Sequence, residues 1–145
     1  MGTKILVIHG PNLNLLGERK PEVYGKETLA DIDYWLQSQP EAKNITIRFY
    51  QSNHEGDIID TIQGAREWAN GIIINPGAFT HYSYAIRDAI EAIEIPTIEV
   101  HLSDIFARED FRKVSVISSV CIDQISGLGK GSYLEGLKRL LKQIS

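Results

Sequence analysis

Residues 5–24 read ILVIHGPNLNLLGERKPEVY, and their reading decides the fold. Ile5 to Ile8 is an apolar, β-branched-rich run, the signature of a strand covered on both faces in a parallel sheet. His9, Gly10 and Pro11 stop it. A helix normally follows such a strand after a short connection. Here roughly twenty residues intervene before the next helical pattern, longer than an ordinary strand-to-helix loop. The connection leaves the carboxyl end of the first strand, where open α/β sheets bind ligands. It carries Asn12, Asn14, Arg19 and Tyr24. Those residues suit either an active-site lid or a mobile surface loop.

Outward from this stretch, strand and helix patterns alternate. Thr28 and Asp31 have capping-box spacing, and Leu29, Ile32 and Leu36 form a helical stripe. Ile45 to Tyr50 alternates with the period of a half-covered strand. Ile58, Ile62, Ala65 and Ala69 mark a second helix, stopped at Asn70-Gly71. Ile72 to Ile74 is a third strand, and Ile86, Ile90 and Ile93 lie in helical register after it. Thr97 to Val100 is a fourth strand, ending at His101. Residues 103–119 are irregular, with a helical turn near Asp110, and a last short strand lies within 120–126. Ser132 and Glu135 predict a second capping box, opening a helix with Leu134, Leu137, Leu141 and Ile144 on one face. Five such βα units predict a parallel sheet with helices on both faces, a flavodoxin-like three-layer sandwich. Strand order 2-1-3-4-5 is the order expected of five strands, although periodicity does not determine it.

The 145 residues, 43% hydrophobic and 23% charged, fit a single domain over 1–145 with a real core. A net charge of −4 argues against nucleic acid or an anionic membrane as partner. The longest apolar runs fall far short of a membrane span, and the amino terminus lacks a secretory pattern. A lone cysteine, Cys121, fits a reducing cytoplasm and reads as a buried inert thiol among Val120 and Ile122.

In this architecture the carboxyl ends of the strands form one rim. His9, Asn12, Arg19 and Tyr24 follow the first strand, and Asn53, His54 and Glu55 the second. Asn75, Thr80 and His81 follow the third, and His101, Ser103, Arg108 and Arg112 the fourth. All four histidines therefore fall just past strand ends. A metal site lacks any close-spaced ligand pair. Gly127 to Ser132, GLGKGS, has the wrong spacing for a phosphate loop, and no dinucleotide fingerprint or nucleophile elbow is present. What remains is acid–base chemistry without a cofactor, on an anionic, hydroxylated small molecule. Arg112 and Arg108 are candidates to pair with a carboxylate, and Asn75, His81 and Ser103 to bind hydroxyls. His101 is a candidate general acid and Tyr24 a general base. A tyrosine base needs its phenolate stabilised, and Arg19 is the nearby cation. Two pKa units would take roughly 2.7 kcal/mol.

These residues lie in longer stretches that resemble the type II 3-dehydroquinate dehydratases along the whole chain. They are HGPNLNLLG at 9–17 with Arg19, Pro21, Tyr24 and Gly25, FYQSNHEG at 49–56, and INPGAFTHYS at 74–83 with Arg87 to Ala89. EVHLS at 99–103 and AREDFR at 107–112 complete the set. The resemblance implies a flavodoxin-like fold, a homododecamer built as a tetramer of trimers, and loss of water from 3-dehydroquinate in the shikimate pathway. It implies Tyr24 as the base taking the C2 proton, Arg19 as its activator and Asn12 as a group stabilising an enolate through water. His101 is then the acid at the C1 hydroxyl. Asn75, His81, the Leu102 backbone, Ser103 and Arg112 match substrate-binding positions. Asp88 matches a residue of the neighbouring subunit, and Glu99 a position near His101. Lys20, Asp104 and Phe106 depart from the Glu, Asn and His usual there. The competing class is a non-catalytic module binding an anionic metabolite, which would have no use for Tyr24 beside Arg19.

Overall fold

The run from Lys4 to His9 is covered by helices on both faces of the sheet, which is why it presents no polar face. In the computed structural model, which describes residues 2–18 and 21–145 and only the backbone of Val23 and Tyr24, it forms β1 (Lys4–His9). Thr46–Gln51 (β2) lies along one edge and Gly71–Asn75 (β3) along the other. Thr97–Val100 (β4) and Asp123–Ile125 (β5) extend the sheet. All pairs are parallel, and the order is β2-β1-β3-β4-β5, as expected for a flavodoxin-like sheet. The helices are α1 (Pro21–Tyr24), α2 (Leu29–Gln37), α3 (Glu55–Gly64), α4 (Tyr84–Ile93) and α5 (Gly131–Ile144).

Strand pleating divides the core in two. Ile5, Val7, Ile73, Ile98 and Val100 point to one face, against Ile32 and Leu36 of α2 and Tyr133, Leu137 and Leu140 of α5. Leu6, Ile8, Ile72 and Ile74 point to the other, against α3 and α4. β3 is buried along its whole length. Truncating a fully buried isoleucine such as Ile73 to alanine is expected to cost about 2–5 kcal/mol.

The Thr28–Asp31 capping box is present, with both reciprocal bonds at the start of α2. The expected Ser132–Glu135 box is not. The turn at Gly127–Gly129 folds the chain back, so the Ser132 hydroxyl accepts from the Leu128 N–H instead, at 3.2 Å. α5 begins at Gly131, two residues before the start that a Ser132 cap implies, and has no side-chain cap. Its buried face is also rotated from the expected stripe. Tyr133, Gly136, Leu137 and Leu140 are buried, while Leu134, Leu141 and Ile144 flank them partly covered. An apolar stripe read from the sequence includes neither a tyrosine nor a glycine. Residues 103–119 carry short 3-10 turns at Ile105–Ala107 and Asp110–Lys113. Cys121 is half-buried rather than fully buried. Burial and the nearby Glu99 carboxylate still push its thiol pKa well up, so it stays protonated.

Candidate active site

Strand ends at the carboxyl rim place the polar residues. β1 and β3 finish side by side, with His9 in register with Asn75. The loops beyond them are locked together. The Gly10 N–H donates to the Asn75 carbonyl at 2.7 Å, and a Cβ on Gly10 would lie 2.5 Å from the Pro76 carbonyl oxygen. Gly77 has φ +59° and faces Pro11, so it too resists any side chain.

Asn12 adopts φ 69° and is exposed. Its N–H donates to Asn53 Oδ1 at 3.0 Å. Gln51 Nε2 donates to the Gly10 carbonyl at 3.2 Å and to the same Asn53 oxygen at 3.1 Å. The end of β2 therefore props the loop that carries Asn12. Asn53 stands on the rim as its position after β2 predicts, whereas nothing marks Gln51 in the sequence beyond its place in a polar cluster after a strand. Arg19 and the side chain of Tyr24 lie outside the described residues, and α1 fixes the backbone of Tyr24.

His101 follows β4 and is buried. Its Nε2 meets Glu99 Oε2 at 2.5 Å. Glu99 is completely buried, yet its carboxylate is well supplied with donors. Gln124 Nε2 reaches Oε2 at 2.8 Å, and the Ser115 hydroxyl reaches Oε1 at 2.8 Å. A buried carboxylate needs such donors, because each lost one leaves a costly desolvated charge. Neither Ser115 nor Gln124 was recognised from the sequence, since each lies in a different segment from the histidine it supports.

Asn75 is buried at the end of β3. Its Nδ2 donates to the Tyr133 hydroxyl at 3.2 Å, and its Oδ1 accepts from the Gly77 N–H at 3.2 Å. His81 donates from Nδ1 to the Val114 carbonyl at 2.8 Å, which leaves Nε2 for another partner, and its ring meets Phe111 edge-on. Arg112 is half-exposed, stacks over Phe111 and donates from Nε to Glu109 at 2.8 Å. The guanidinium expected to meet a ligand carboxylate is thus already paired through one nitrogen. Ser103 and Arg108 are exposed, and Leu102 is half-buried, its carbonyl accepting from Gly129. Asp88 is exposed on α4. His54 stands exposed before α3. Among the described residues, no group of three or more His, Cys, Asp or Glu is placed to hold a metal ion. None of their helices is long and apolar enough to cross a membrane.

Together, the buried acid–histidine pair, the oriented amide and the arginine at one rim are equipped to bind an anion and transfer a proton. A family model described as "Dehydroquinase class II" matches residues 3–141. A protein of Bacillus subtilis named 3-dehydroquinate dehydratase is 53% identical over 138 residues, covering 95% of this chain and 93% of that one. Another of that name, from Caldicellulosiruptor saccharolyticus, is 56% identical over 138 residues, covering 94% and 95%. The crystal structure of a type II dehydroquinase from Butyrivibrio crossotus superposes with a TM-score of 0.91 at 48% identity, over 97% of this chain and 98% of that chain.

Proposed function

The chain belongs to the class II dehydroquinases, and from that premise we propose that it removes water from 3-dehydroquinate to give 3-dehydroshikimate. The observation that carries this reading to the residues is the buried Glu99–His101 pair at the rim. A completely buried carboxylate against an imidazole is an arrangement for holding a proton-transfer group in one orientation.

Tyr24, as phenolate, takes the C2 proton, and Arg19 stabilises that phenolate. Electrons of the broken C–H bond pass to the C3 ketone oxygen, giving an enolate. Asn12 stabilises the enolate through a water molecule. The enolate collapses, the C1–O bond breaks, and His101 gives its proton to the departing hydroxyl, which leaves as water. Glu99 accepts from the Nε2–H of His101, so the proton given to the hydroxyl is the one on Nδ1 of the doubly protonated ring, and Nε2–H is retained. Arg112 pairs with the substrate carboxylate, turning from Glu109 to do so, while Arg108 supports it. Asn75, His81, Ser103 and the Leu102 backbone hold hydroxyl and carboxylate oxygens. Asp88 closes the site of a neighbouring subunit in a dodecamer. A proton beside a ketone is acidic enough for this route without a cofactor. The enzyme works in the cytoplasm, at a step of aromatic biosynthesis.

Appearance of the conjugated enone chromophore on adding 3-dehydroquinate tests the activity, with and without exhaustive EDTA. Exchange of the C2 proton in deuterated water then separates the roles. His101→Ala should retain exchange while losing elimination, and Tyr24→Phe should lose both by about 10²–10⁴-fold. Normal turnover by Tyr24→Phe would remove Tyr24 as the base. A protein that binds the substrate and never forms the enone would be a binding module.

A further inference from the structure

Behind Asn75 runs a chain of buried polar groups that the proton-transfer steps do not use. His9 is 1% exposed. Its Nε2 lies 2.8 Å from Asp33 Oδ1 of α2, and its Nδ1 lies 2.9 Å from the Tyr133 hydroxyl of α5. That hydroxyl in turn accepts from Asn75 Nδ2. Tyr133 is completely buried, and its ring packs against the His9 ring, which stacks on Phe49 at 2° between planes. Two buried rings bearing polar atoms would weaken the core unless every such atom had a partner.

The donors can be assigned by elimination. An ionised carboxylate only accepts, so His9 Nε2 carries a proton and donates to Asp33. The Gly77 N–H fixes Asn75 Oδ1, so the amide group facing Tyr133 is the NH₂, which only donates; the Tyr133 O–H is left with His9 Nδ1 as its acceptor and donates to it. The Tyr133 oxygen has lone pairs left, so the Asn75 NH₂ donates to it. One proton direction satisfies every link. The second N–H of that amide is not used by Tyr133.

We propose that Asp33, His9 and Tyr133 are positioning residues that lock the orientation of the Asn75 amide for substrate binding. The proposal rests on the dehydratase reading only for the substrate that Asn75 meets. Tyr133→Phe keeps the ring and removes the hydroxyl, so the amide loses the acceptor that distinguishes its two ends. KM should rise about tenfold while kcat stays within about threefold, the pattern of lost uniform binding. In an Asn75→Ala background the same substitution should change kcat/KM less than twofold, because the group it orients is gone. Equal losses in both backgrounds, or no loss in the parent, would overturn the proposal.

Asp33→Asn, at the partly exposed end of the chain, serves if Tyr133→Phe does not fold. It should raise KM about threefold, again only when Asn75 is present. The ¹⁵N spectrum of His9, assigned with His9→Gln, reports on the link independently of turnover. Expected is a protonated Nε2 and an unprotonated Nδ1; a proton on Nδ1 refutes the assignment. If the parent enzyme forms no enone, the dehydratase reading fails, whereas the His9 spectrum still decides the relay.

Discussion

Asn75 and His101 stand on neighbouring strands of one rim, but they are held from opposite faces of the sheet and by different means. His101 is backed from the face that carries α3 and α4, by a carboxylate two residues earlier on the strand it follows, at 2.5 Å. Asn75 is backed from the face that carries α2 and α5, and its carboxylate, Asp33, stands two neutral rings away. Distance decides what each carboxylate can do. A carboxylate in direct contact acts on the imidazole at full strength and accepts from its Nε2–H. A charge relayed through a neutral histidine and a phenol transmits direction, because hydrogen-bond polarity is passed on while most of the field is not. The rim thus separates a chemical support from a geometric one.

The largest effect expected from this difference is in Glu99→Gln. It preserves shape and removes the charge, so kcat should fall about 10²-fold or more while KM moves within about threefold. A steady-state assay decides; an effect on KM alone would erase the contrast with Asn75. Ser115→Ala removes one donor to Glu99 and the hydroxyl that also accepts from the Ile117 and Ser118 N–H groups. A loss in kcat of about tenfold is expected from leaving a buried charge short of one bond. Thr28→Ala breaks the capping box at the start of α2, the helix that carries Asp33. It should lower stability by about 1 kcal/mol in denaturant titration. Catalysis at the His101 side should stay intact.

The smallest effect at neutral pH lies in the alkaline limb of stability. Burial pushes Tyr133 and Cys121 upward, opposed at Tyr133 by the Asn75 hydrogen bond and reinforced by the Asp33 charge. Their folded pKa values exceed the unfolded ones, so the unfolded chain releases these protons first. Their contribution is therefore complete well below the unfolded values of 9.0 for the thiol and 10.0 for the phenol, and is lost progressively as pH rises from those values towards the folded ones. Denaturation midpoints from pH 7 to 11 should fall, and Tyr133→Phe with Cys121→Ser should flatten the fall.

The sheet was legible because its strands are short apolar runs bounded by Gly, Pro and Asn, and the order β2-β1-β3-β4-β5 agrees with five βα units. Side chains at a strand end or one residue past it, such as Asn75 and His101, are legible for the same reason. Their supports are not. Tyr133 and Gln124 come from segments far along the chain, and no periodicity links Gln124 to Glu99 or Tyr133 to His9. The Ser132 cap was misread because a hydroxyl with the right spacing has two possible N–H partners, and the glycine turn decides between them. The core face of α5 was misread because the polar oxygen of Tyr133 hides its burial.

The bond between His9 and Tyr133 joins residues 124 positions apart. On a ribosome, β1 emerges among the earliest segments and α5 long after it. Until residue 133 clears the exit tunnel, His9 and Asn75 have no phenol to meet, and the apolar face of β1 and β3 has no α5 to cover it. A nascent chain that has not yet released α5 can therefore pair the strands that have emerged but cannot finish that side of the rim. Contacts of such long range are also the slow ones in folding. Acquisition of substrate affinity should then lag the formation of the sheet during synthesis, which makes the rim a late marker of completed folding.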